Sequence, residues 1–389
     1  MRISERARQM TPFMVMEILE AAQRLEREGS HVVHLEIGEP DFDTPQCIKD
    51  AACRALDDGH THYTHSLGIP ELRGAISEDY RKRYGVEVDP GRILVTQGTS
   101  PAMLLLFAAL LQRGDKVVLS DPCYACYENF IRFSGGEPVK VPVLEEDGFQ
   151  YRVARIREKL DGAVRAILIN SPSNPTGTLL SPERMRGIAE LTAPEGPYIV
   201  SDEIYHGLVY EDRDHSILEF TDNAFVLNGF SKLYAMTGWR LGYLIAPEPF
   251  IRPMQVMAQN LFISANAMAQ WAGVAALTDP AAAADVARMK AIYNERRIYM
   301  IQRLRAMGFT ITHEPTGAFY VIVNARHLDG DSLRLAYDIL EKAHVGVTPG
   351  IDFGEGAEGY IRFSYANSIE NIGLGMDRLE RYVNERLGR

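Results

Sequence analysis

The chain has few cysteines, no long apolar run and no basic stretch. Only four of its 389 residues are cysteines, Cys47, Cys53, Cys123 and Cys126, too few for a disulfide framework in a chain this long. The longest apolar run, 103–111, is too short to span a bilayer. A formal net charge of −11 disfavours binding to nucleic acid or to an anionic membrane. We therefore expect a cytoplasmic protein that binds neither.

Two further kinds of site lack their motifs. Cys123-x-x-Cys126 has no second cysteine pair and no histidine pair at zinc-ligand spacing, so we expect incidental thiols and no metal site. No Gly-x-Gly-x-x-Gly follows a predicted strand, which disfavours a nicotinamide-dependent dehydrogenase.

The middle of the chain alternates short apolar strands with helical segments. The strands are predicted at 93–96, 116–119, 166–169, 198–200 and 224–227. This alternation predicts an α/β fold with a mostly parallel central sheet covered on both faces. A length of 389 residues favours two domains over one.

Both ends of the chain contribute to a predicted second, smaller α+β domain. Near the amino end we predict a helix at 11–28 and a strand at 33–37. The later elements are a helix from the breaker at 279–281 to Ala306, strands at 317–323 and 360–364, and a helix capped by Ser368 that ends near Leu387. We expect the large domain at 46–280 and the small domain at 1–45 and 281–389.

Polar residues follow the first predicted strand, where ligands of open parallel sheets bind. The segment 96–101, Thr-Gln-Gly-Thr-Ser-Pro, opens a helix, and we expect Pro101 at its first position. Backbone N–H groups at such a turn bind phosphate well. An ordinary turn from strand to helix is the alternative interpretation.

The next two strand ends are also polar. Asn170 and Asn174 lie in a turn with two X-Pro steps, and asparagines at a buried strand end are costly unless they are hydrogen bonded. Asp202 follows the next strand and is either a solvated acid or the partner of a buried cation.

Lys232 has unusually apolar neighbours for a lysine. It lies among Phe230, Leu233, Tyr234 and Met236, and such surroundings lower the pKa of an amine, as a Schiff-base lysine requires. Considered by itself, a solvated surface lysine is the alternative.

The segment from Gly229 to Gly242, with Ser231-Lys232 and Arg240, resembles the lysine signature of class I aminotransferases, the fold-type-I group of pyridoxal 5'-phosphate enzymes. The other strand-end motifs follow in the family's order, from Gly38 to Arg362. The resemblance implies the fold-type-I architecture, the cofactor pyridoxal 5'-phosphate and a homodimer with shared active sites. The implied reaction moves an amino group from an amino acid to a 2-oxo acid such as 2-oxoglutarate.

The resemblance also implies roles around the cofactor ring. Lys232 would carry the cofactor as a Schiff base and move the α-proton of the substrate. Asp202 would pair with the pyridine nitrogen. Asn174 and Tyr205 would hydrogen bond the phenolic oxygen, and Tyr124 would stack on the ring.

Phosphate and substrate ligands are implied in the same way. The phosphate ligands would be Gly98, Thr99, Ser231, Arg240 and Tyr63 of the partner subunit. Gly229 stands where many relatives have a phosphate-binding serine. Arg362 would bind the substrate α-carboxylate, with Gly38 and Asn174 beside it; a surface salt bridge is the alternative for Arg362 alone.

The side chain of the amino donor is expected to be neutral or apolar. Ser100 stands where one aspartate-specific branch of the family has a lysine, and Asn260 where another has an interface arginine. The expected pocket walls are Phe13, Met14, Val15 and Phe319.

Two other functions use the same fold. A C–S β-lyase would use the same lysine, aspartate and arginine, and stays an alternative. A non-catalytic regulator that binds the cofactor is less favoured, because no helix-turn-helix extension is present and Lys232 is retained.

Overall fold

The computed structural model describes residues 3–192 and 196–389, which form one large sheet, two small sheets and the helices around them. The α-helices are α1 (Glu5–Arg8), α2 (Met14–Arg27), α3 (Gln46–Asp57), α4 (Pro70–Tyr84), α5 (Thr99–Leu110), α6 (Cys126–Phe133), α7 (Val153–Arg157), α8 (Pro182–Ala189), α9 (Glu248–Leu261), α10 (Ala267–Thr278), α11 (Pro280–Ala306), α12 (Ser332–Ala343) and α13 (Ile369–Leu387). Among the described residues, no helix combines the length and the apolar character needed to cross a membrane.

The strands alternate with these helices through the middle of the chain. They are β1 (Val33–His34), β2 (Ile93–Thr96), β3 (Lys116–Asp121), β4 (Glu137–Pro142), β5 (Val164–Asn170), β6 (Tyr198–Asp202), β7 (Ala224–Gly229), β8 (Gly242–Ile245), β9 (Tyr320–Asn324), β10 (Val345–Gly346), β11 (Thr348–Pro349) and β12 (Tyr360–Ser364).

The large sheet has the strand order β2-β8-β7-β6-β5-β3-β4. Its pairs are parallel except those of β8, which runs antiparallel to both β2 and β7. Every residue of β2, β7 and β8 is buried, as expected for strands covered on both faces. The connection 230–241, which contains Lys232, begins at the carboxyl end of β7 and leads into the antiparallel strand β8.

The small sheets join the two ends of the chain. Strand β12 lies between β11 and β9 in an antiparallel sheet, and β1 pairs with β10 in parallel. The amide of Leu35 donates to the carbonyl of Gly346 at 3.0 Å, and Leu35 accepts from the amide of Ser364 at 2.7 Å. The amino-terminal segment is thus fixed to the carboxyl-terminal strands. The division of the chain at residues 46 and 280 stays a prediction.

The structure confirms the five predicted strands of the large sheet, each extended by up to three residues. Helix α11 ends at Ala306, as predicted, and its cap Asp279 accepts from the amide of Ala281 at 2.8 Å. Helix α13 is capped by Ser368, whose Oγ accepts from the amide of Asn371 at 3.1 Å.

Three local predictions were wrong. The strand predicted at 33–37 ends at His34, because the carbonyls of Glu36 and Gly38 bind Arg362 and Lys232 instead of a neighbouring strand. The strand predicted from residue 317 begins at Tyr320. Helix α5 begins at Thr99, so Pro101 is its third residue, where a missing N–H costs little because first-turn amides have no partner within the helix.

Close packing of β8 against the turn that begins α5 makes Gly242 sensitive to substitution. A Cβ there would lie 2.9 Å from the carbonyl carbon of Gly98 and 3.0 Å from the amide nitrogen of Thr99. Backbone cannot move aside cheaply, so we expect Gly242→Ala to lower the free energy of unfolding by about 1–3 kcal/mol in chemical denaturation. Gly162→Ala is the control, since nothing lies within 4 Å of its Cβ, and equal stability of the two variants would contradict this packing.

Candidate active site

A cavity of about 320 Å³ opens beyond the carboxyl ends of β2, β5, β6 and β7, where the connections after these strands meet β9 and β12. This is the edge at which parallel sheets bind ligands. Ten of the predicted site residues line the cavity: Gly38, Thr99, Tyr124, Asn174, Asp202, Tyr205, Ser231, Lys232, Arg240 and Arg362. Residues from seven separate segments of sequence therefore converge on one space.

Lys232 enters the cavity from the connection after β7. Its Nζ donates to the carbonyl of Gly38 at 2.6 Å and lies 5.9 Å from the ring centroid of Phe319. Loss of solvent lowers the pKa of Lys232 to about 8. About a tenth of the amine is therefore unprotonated at pH 7, far more than for an ordinary lysine, and a nucleophilic lysine requires this form.

Asp202 ends β6 and is only 3% exposed. Its Oδ2 accepts from the hydroxyl of Tyr127 at 2.7 Å, and its Oδ1 accepts from the amide of Ile204 at 3.2 Å. Burial raises the pKa of Asp202 to about 6, although these two donors oppose the shift. A cationic N–H group placed against this carboxylate would stabilise its charged form.

The two asparagines after β5 are both hydrogen bonded. Asn170 Nδ2 donates to the carbonyl of Asp202 at 2.9 Å, and Asn170 Oδ1 accepts from the amide of Asn174 at 2.8 Å. Asn174 Oδ1 then accepts from Arg362 Nη1 at 2.8 Å. These hydrogen bonds hold the end of β5, the end of β6 and the Arg362 side chain of β12 in fixed positions relative to one another.

Arg362 is a buried cation, 3% exposed, on β12. Its Nη2 donates to the carbonyl of Glu36 at 2.5 Å and to Thr348 Oγ1 at 3.0 Å, and its guanidinium carbon lies 4.3 Å from the ring centroid of Tyr320. Among the described residues, no carboxylate lies within ion-pair distance of Arg362, so the alternative of a surface salt bridge is wrong. A cation buried in this way is suited to bind an anionic ligand.

Four tyrosines line the cavity beside these charges. The hydroxyls of Tyr205 and Tyr320 are 2.8 Å apart. Tyr124 packs edge-on against Phe13, with ring centroids 5.9 Å apart, and against Tyr127, with centroids 5.3 Å apart. A flat ligand therefore meets aromatic rings as well as charged groups.

The turn before α5 forms a second anion-binding position. Gly98 has φ +94°, which favours glycine, and a Cβ there would lie 2.5 Å from Arg240 Nη2 and displace that guanidinium. Arg240 Nη1 donates to the carbonyl of Thr237 at 2.9 Å. The free amides at the start of α5, Ser231 and Arg240 together suit a phosphate group.

Some expected residues are elsewhere. Tyr63 is 82% exposed and does not line the cavity. Phe13 and Val15 do line it, but Met14 and Phe319 do not. Phe319 is fully buried, and its neighbour Tyr320 takes the position facing the cavity.

Sequence reasoning missed several residues of the site. Tyr127 holds Asp202, Tyr320 covers Arg362, and Met16 and Glu39 line the cavity mouth. Tyr127 follows Tyr124 by three residues across the turn that leads into α6, and the amide of Tyr127 donates to the carbonyl of Tyr124 at 3.1 Å. This short spacing could have indicated that the two side chains lie together. Nothing local indicated Tyr320, since its partners are distant in sequence.

These groups fit pyridoxal 5'-phosphate, which carries an aldehyde, a pyridine nitrogen and a phosphate. Lys232 offers an amine of lowered pKa, Asp202 a buried carboxylate that a protonated nitrogen would neutralise, and the Gly98 turn with Arg240 a phosphate cradle. The fold and the cavity thus define an enzyme of the pyridoxal-phosphate-dependent transferase class.

Comparison with known proteins agrees with this assignment. The sequence profile "Aminotransferase class I and II" matches residues 30–379, and the chain belongs to that family. It is a pyridoxal-phosphate-dependent aminotransferase.

The alignments with similar proteins extend over almost the whole length of both chains. A (5-formylfuran-3-yl)methyl phosphate transaminase of Methanocaldococcus jannaschii is 42% identical, over 98% of this chain and 100% of the relative. An aspartate aminotransferase of Pyrococcus horikoshii is 40% identical over 97% and 96%. The structure of Thermus thermophilus aspartate aminotransferase with maleate superposes with a TM-score of 0.94, at 38% identity, over 98% and 100%.

The lowered pKa of Lys232 can be measured on the cofactor-free protein. Reductive methylation at graded pH, followed by peptide mass spectrometry, should modify Lys232 with a midpoint near pH 8. Exposed lysines in the same digest serve as the control, with an ordinary pKa of about 10.4. Modification of Lys232 only above pH 10 would show that burial does not lower its pKa.

Proposed function

We propose that the amino donor is a neutral or apolar L-amino acid and that a 2-oxo acid such as 2-oxoglutarate accepts the amino group. The supporting observation is the charge of the cavity wall. In the described part of the chain its cations are Lys232, Arg240 and Arg362, all needed for the cofactor or the α-carboxylate, whereas Glu39 is acidic. A donor with an acidic side chain would find no further cation and would meet Glu39.

The far wall supports the same proposal. Phe13, Val15 and Met16, from the start of α2, line the cavity with Ile37 and Met103. Ser100 lines it too, but Asn260 does not. Because several relatives are aspartate aminotransferases, aspartate is the competing donor.

We further propose the following roles within the site. Arg362 binds the α-carboxylate, helped by Asn174 and the amide of Gly38, and so aims the α-hydrogen at Lys232. The amine of Lys232, unprotonated in part because it is buried, would accept that proton at Nζ and hold it for return to a carbon of the bound cofactor. When bound, pyridoxal phosphate supplies the electron sink that makes the α-proton removable.

The remaining groups hold the cofactor. Asp202, fixed by Tyr127, would place its carboxylate against the pyridine nitrogen. Asn174 and Tyr205 would bind the phenolic oxygen, and Tyr124 would cover the ring. Gly98, Thr99, Ser231 and Arg240 would bind the phosphate.

The donor class is tested by mixing the holoenzyme with single amino acids and following the visible absorption of the lysine-bound cofactor. Phenylalanine, leucine and methionine should convert the cofactor to its amino form, with one equivalent of 2-oxo acid and no ammonia. Aspartate should react at least about tenfold less efficiently, since its side-chain carboxylate has no partner. Preference for aspartate would overturn the donor class; ammonia release from a cysteine conjugate, with the absorption restored, would indicate a β-lyase.

We also propose a homodimer in which Tyr63 reaches the phosphate of the neighbouring site. Tyr63 is 82% exposed, and Leu261 and Ile263 nearby are 59% and 46% exposed. The amide of Thr64 donates to Ser264 Oγ at 3.3 Å, which ties these two segments together. Such an apolar patch is typical of a subunit interface. A cytoplasmic location is proposed with it, because the four cysteines are free thiols.

Shared sites predict complementation between inactive variants. Mixed refolding of Tyr63→Ala with Lys232→Ala, assayed at limiting cofactor, should restore about a quarter of wild-type activity, because half the dimers are hybrids and each hybrid has one intact site. Lys232→Ala mixed with Arg362→Ala is the control and should restore nothing, since both residues belong to the same subunit's site. Equal activity in the two mixtures would refute sharing through Tyr63.

A further inference from the structure

We propose that the ion pair between His34 and the buried Glu36 positions Arg362 through the backbone carbonyl of Glu36, and so sets the affinity of the site for the substrate carboxylate. This rests on the proposed role of Arg362. His34 and Glu36 are positioning residues, because neither lines the cavity.

The carboxylate clamp is Arg362 together with the two oxygens that bind its Nη2. The first of these is the carbonyl oxygen of Glu36, which accepts from Arg362 Nη2 at 2.5 Å and from Thr348 Oγ1 at 3.0 Å. Thr348 Oγ1 also accepts from Arg362 Nη2 at 3.0 Å, so the three groups form a closed triangle. A displacement of the Glu36 peptide therefore displaces the guanidinium that would receive the substrate.

The side chain of Glu36 points to the other side of the same backbone and is fully buried. Its Oε1 lies 2.6 Å from His34 Nδ1, and its Oε2 has no hydrogen-bond partner. A Cβ on Gly346 would lie 2.1 Å from that Oε2, so the carboxylate rests directly on the glycine of β10. Among the described residues, His34 is the only cation within ion-pair distance of Glu36.

A buried carboxylate without its counter-charge is strongly destabilised. If His34 becomes neutral, the Glu36 carboxylate loses its counter-charge and is driven toward water. A movement of that side chain also moves the peptide whose carbonyl binds Arg362. The clamp is thus coupled to the charge of a histidine outside the cavity.

The proton of His34 is held by two carboxylates. Its ring is 28% exposed, and its Nε2 lies 3.2 Å from Glu26 Oε1 on α2. The hydrogen bond to Glu36 raises the pKa of His34 to about 9 against the opposite effect of burial, with a smaller contribution from Glu26. The ion pair is therefore complete at neutral pH and is lost as the pH rises through about 9.

The other polar groups near His34 donate to backbone carbonyls and form no ion pair with its ring. Asn367 Nδ2 donates to the carbonyl of His34 at 2.9 Å. Arg378, on α13, donates to the carbonyls of His31 and His344 at 2.7 and 3.2 Å. The charged partners of His34 itself are thus Glu26 and Glu36.

The same segment also contacts Lys232, because the carbonyl of Gly38, two residues after Glu36, accepts from Lys232 Nζ. Two effects can therefore be separated. A change confined to Glu36 weakens carboxylate binding, whereas a general loosening of the segment also slows proton transfer. The ratio of the change in KM to that in kcat distinguishes positioning from simple support of the fold.

The test uses His34→Gln and Glu36→Gln, with Glu26→Gln as the matched control on the exposed side of the same histidine. The readout is the Kd of 3-phenylpropanoate for the holoenzyme, measured by calorimetry from pH 6 to 10. This probe has a carboxylate but no amine that could titrate. Arg362→Lys provides the reference for loss of the clamp.

At pH 7 we expect His34→Gln and Glu36→Gln to raise Kd roughly three- to tenfold. Glu26→Gln should stay within about twofold. Wild-type Kd should rise through about pH 9, at lower pH in Glu26→Gln, and not at all in His34→Gln. In turnover, KM should rise in the same proportion as Kd, while kcat stays within about twofold.

Two outcomes would overturn the proposal. One is a Kd for His34→Gln within twofold of wild type at every pH. The other is a fall in kcat and thermal stability with KM unchanged, which would indicate structural support alone. If a variant does not fold, the alkaline rise of Kd in wild type and its shift in Glu26→Gln still decide the question.

Failure of the proposed function would look different. If Arg362→Lys binds 3-phenylpropanoate as tightly as wild type, Arg362 is not the clamp. If Arg362→Lys loses binding while His34→Gln and Glu36→Gln do not, only the inference about the ion pair is wrong.

Discussion

The charged groups of the active site are only partly solvated, so a bound ligand has to supply the interactions that water would otherwise make with them. Burial lowers the pKa of Lys232 to about 8 and raises that of Asp202 to about 6, so both shifts favour the neutral form. For Lys232 the shift corresponds to about 3 kcal/mol of lost solvation. Arg362 cannot become neutral and is stabilised by carbonyl and hydroxyl oxygens and by the ring of Tyr320. A ligand with a phosphate, a ring nitrogen and a carboxylate supplies the missing counter-charges.

The sheet makes this concentration of charge possible. Its strands β2, β7 and β8 are buried throughout, and the charged residues that the sheet contributes to the site, Asp202, Lys232 and Arg240, lie at or beyond strand ends. The antiparallel strand β8 closes the arrangement, because it brings the Lys232 connection back against the Gly98 turn through the glycine contact at Gly242. The cofactor position is therefore set by backbone packing as much as by side chains.

Backbone carbonyls at the start of the chain connect this site to the carboxyl-terminal strands. Glu36 and Gly38 leave the strand ladder after His34 and accept from Arg362 and Lys232. The segment that in a regular strand would pair with a neighbour instead holds two cations of the active site. The positions of these two cations are thereby linked to the packing of β1, β10 and α13 around the segment.

The sequence by itself determined the elements and their chemistry. Apolar runs placed the strands of the large sheet, Ser368 and Asp279 marked the starts of α13 and α11, and the apolar neighbours of Lys232 indicated its lowered pKa. These are local properties, since hydrophobic period and capping act within a few residues. The strands β4 and β8 escaped prediction, and in β4 the reason is that prolines interrupt the strand pattern.

Only the tertiary structure decided which groups meet. Arg362 contacts Asn174 across 188 residues of sequence and Glu36 across 326. Tyr320 bonds Tyr205 across 115 residues, and Tyr127 bonds Asp202 across 75. No local pattern encodes such pairs, because they depend on the order of strands in the sheet and on the reversal at β8. The sequence determined which strand ends carry chemistry, and the packing of the sheets determined that they share one cavity.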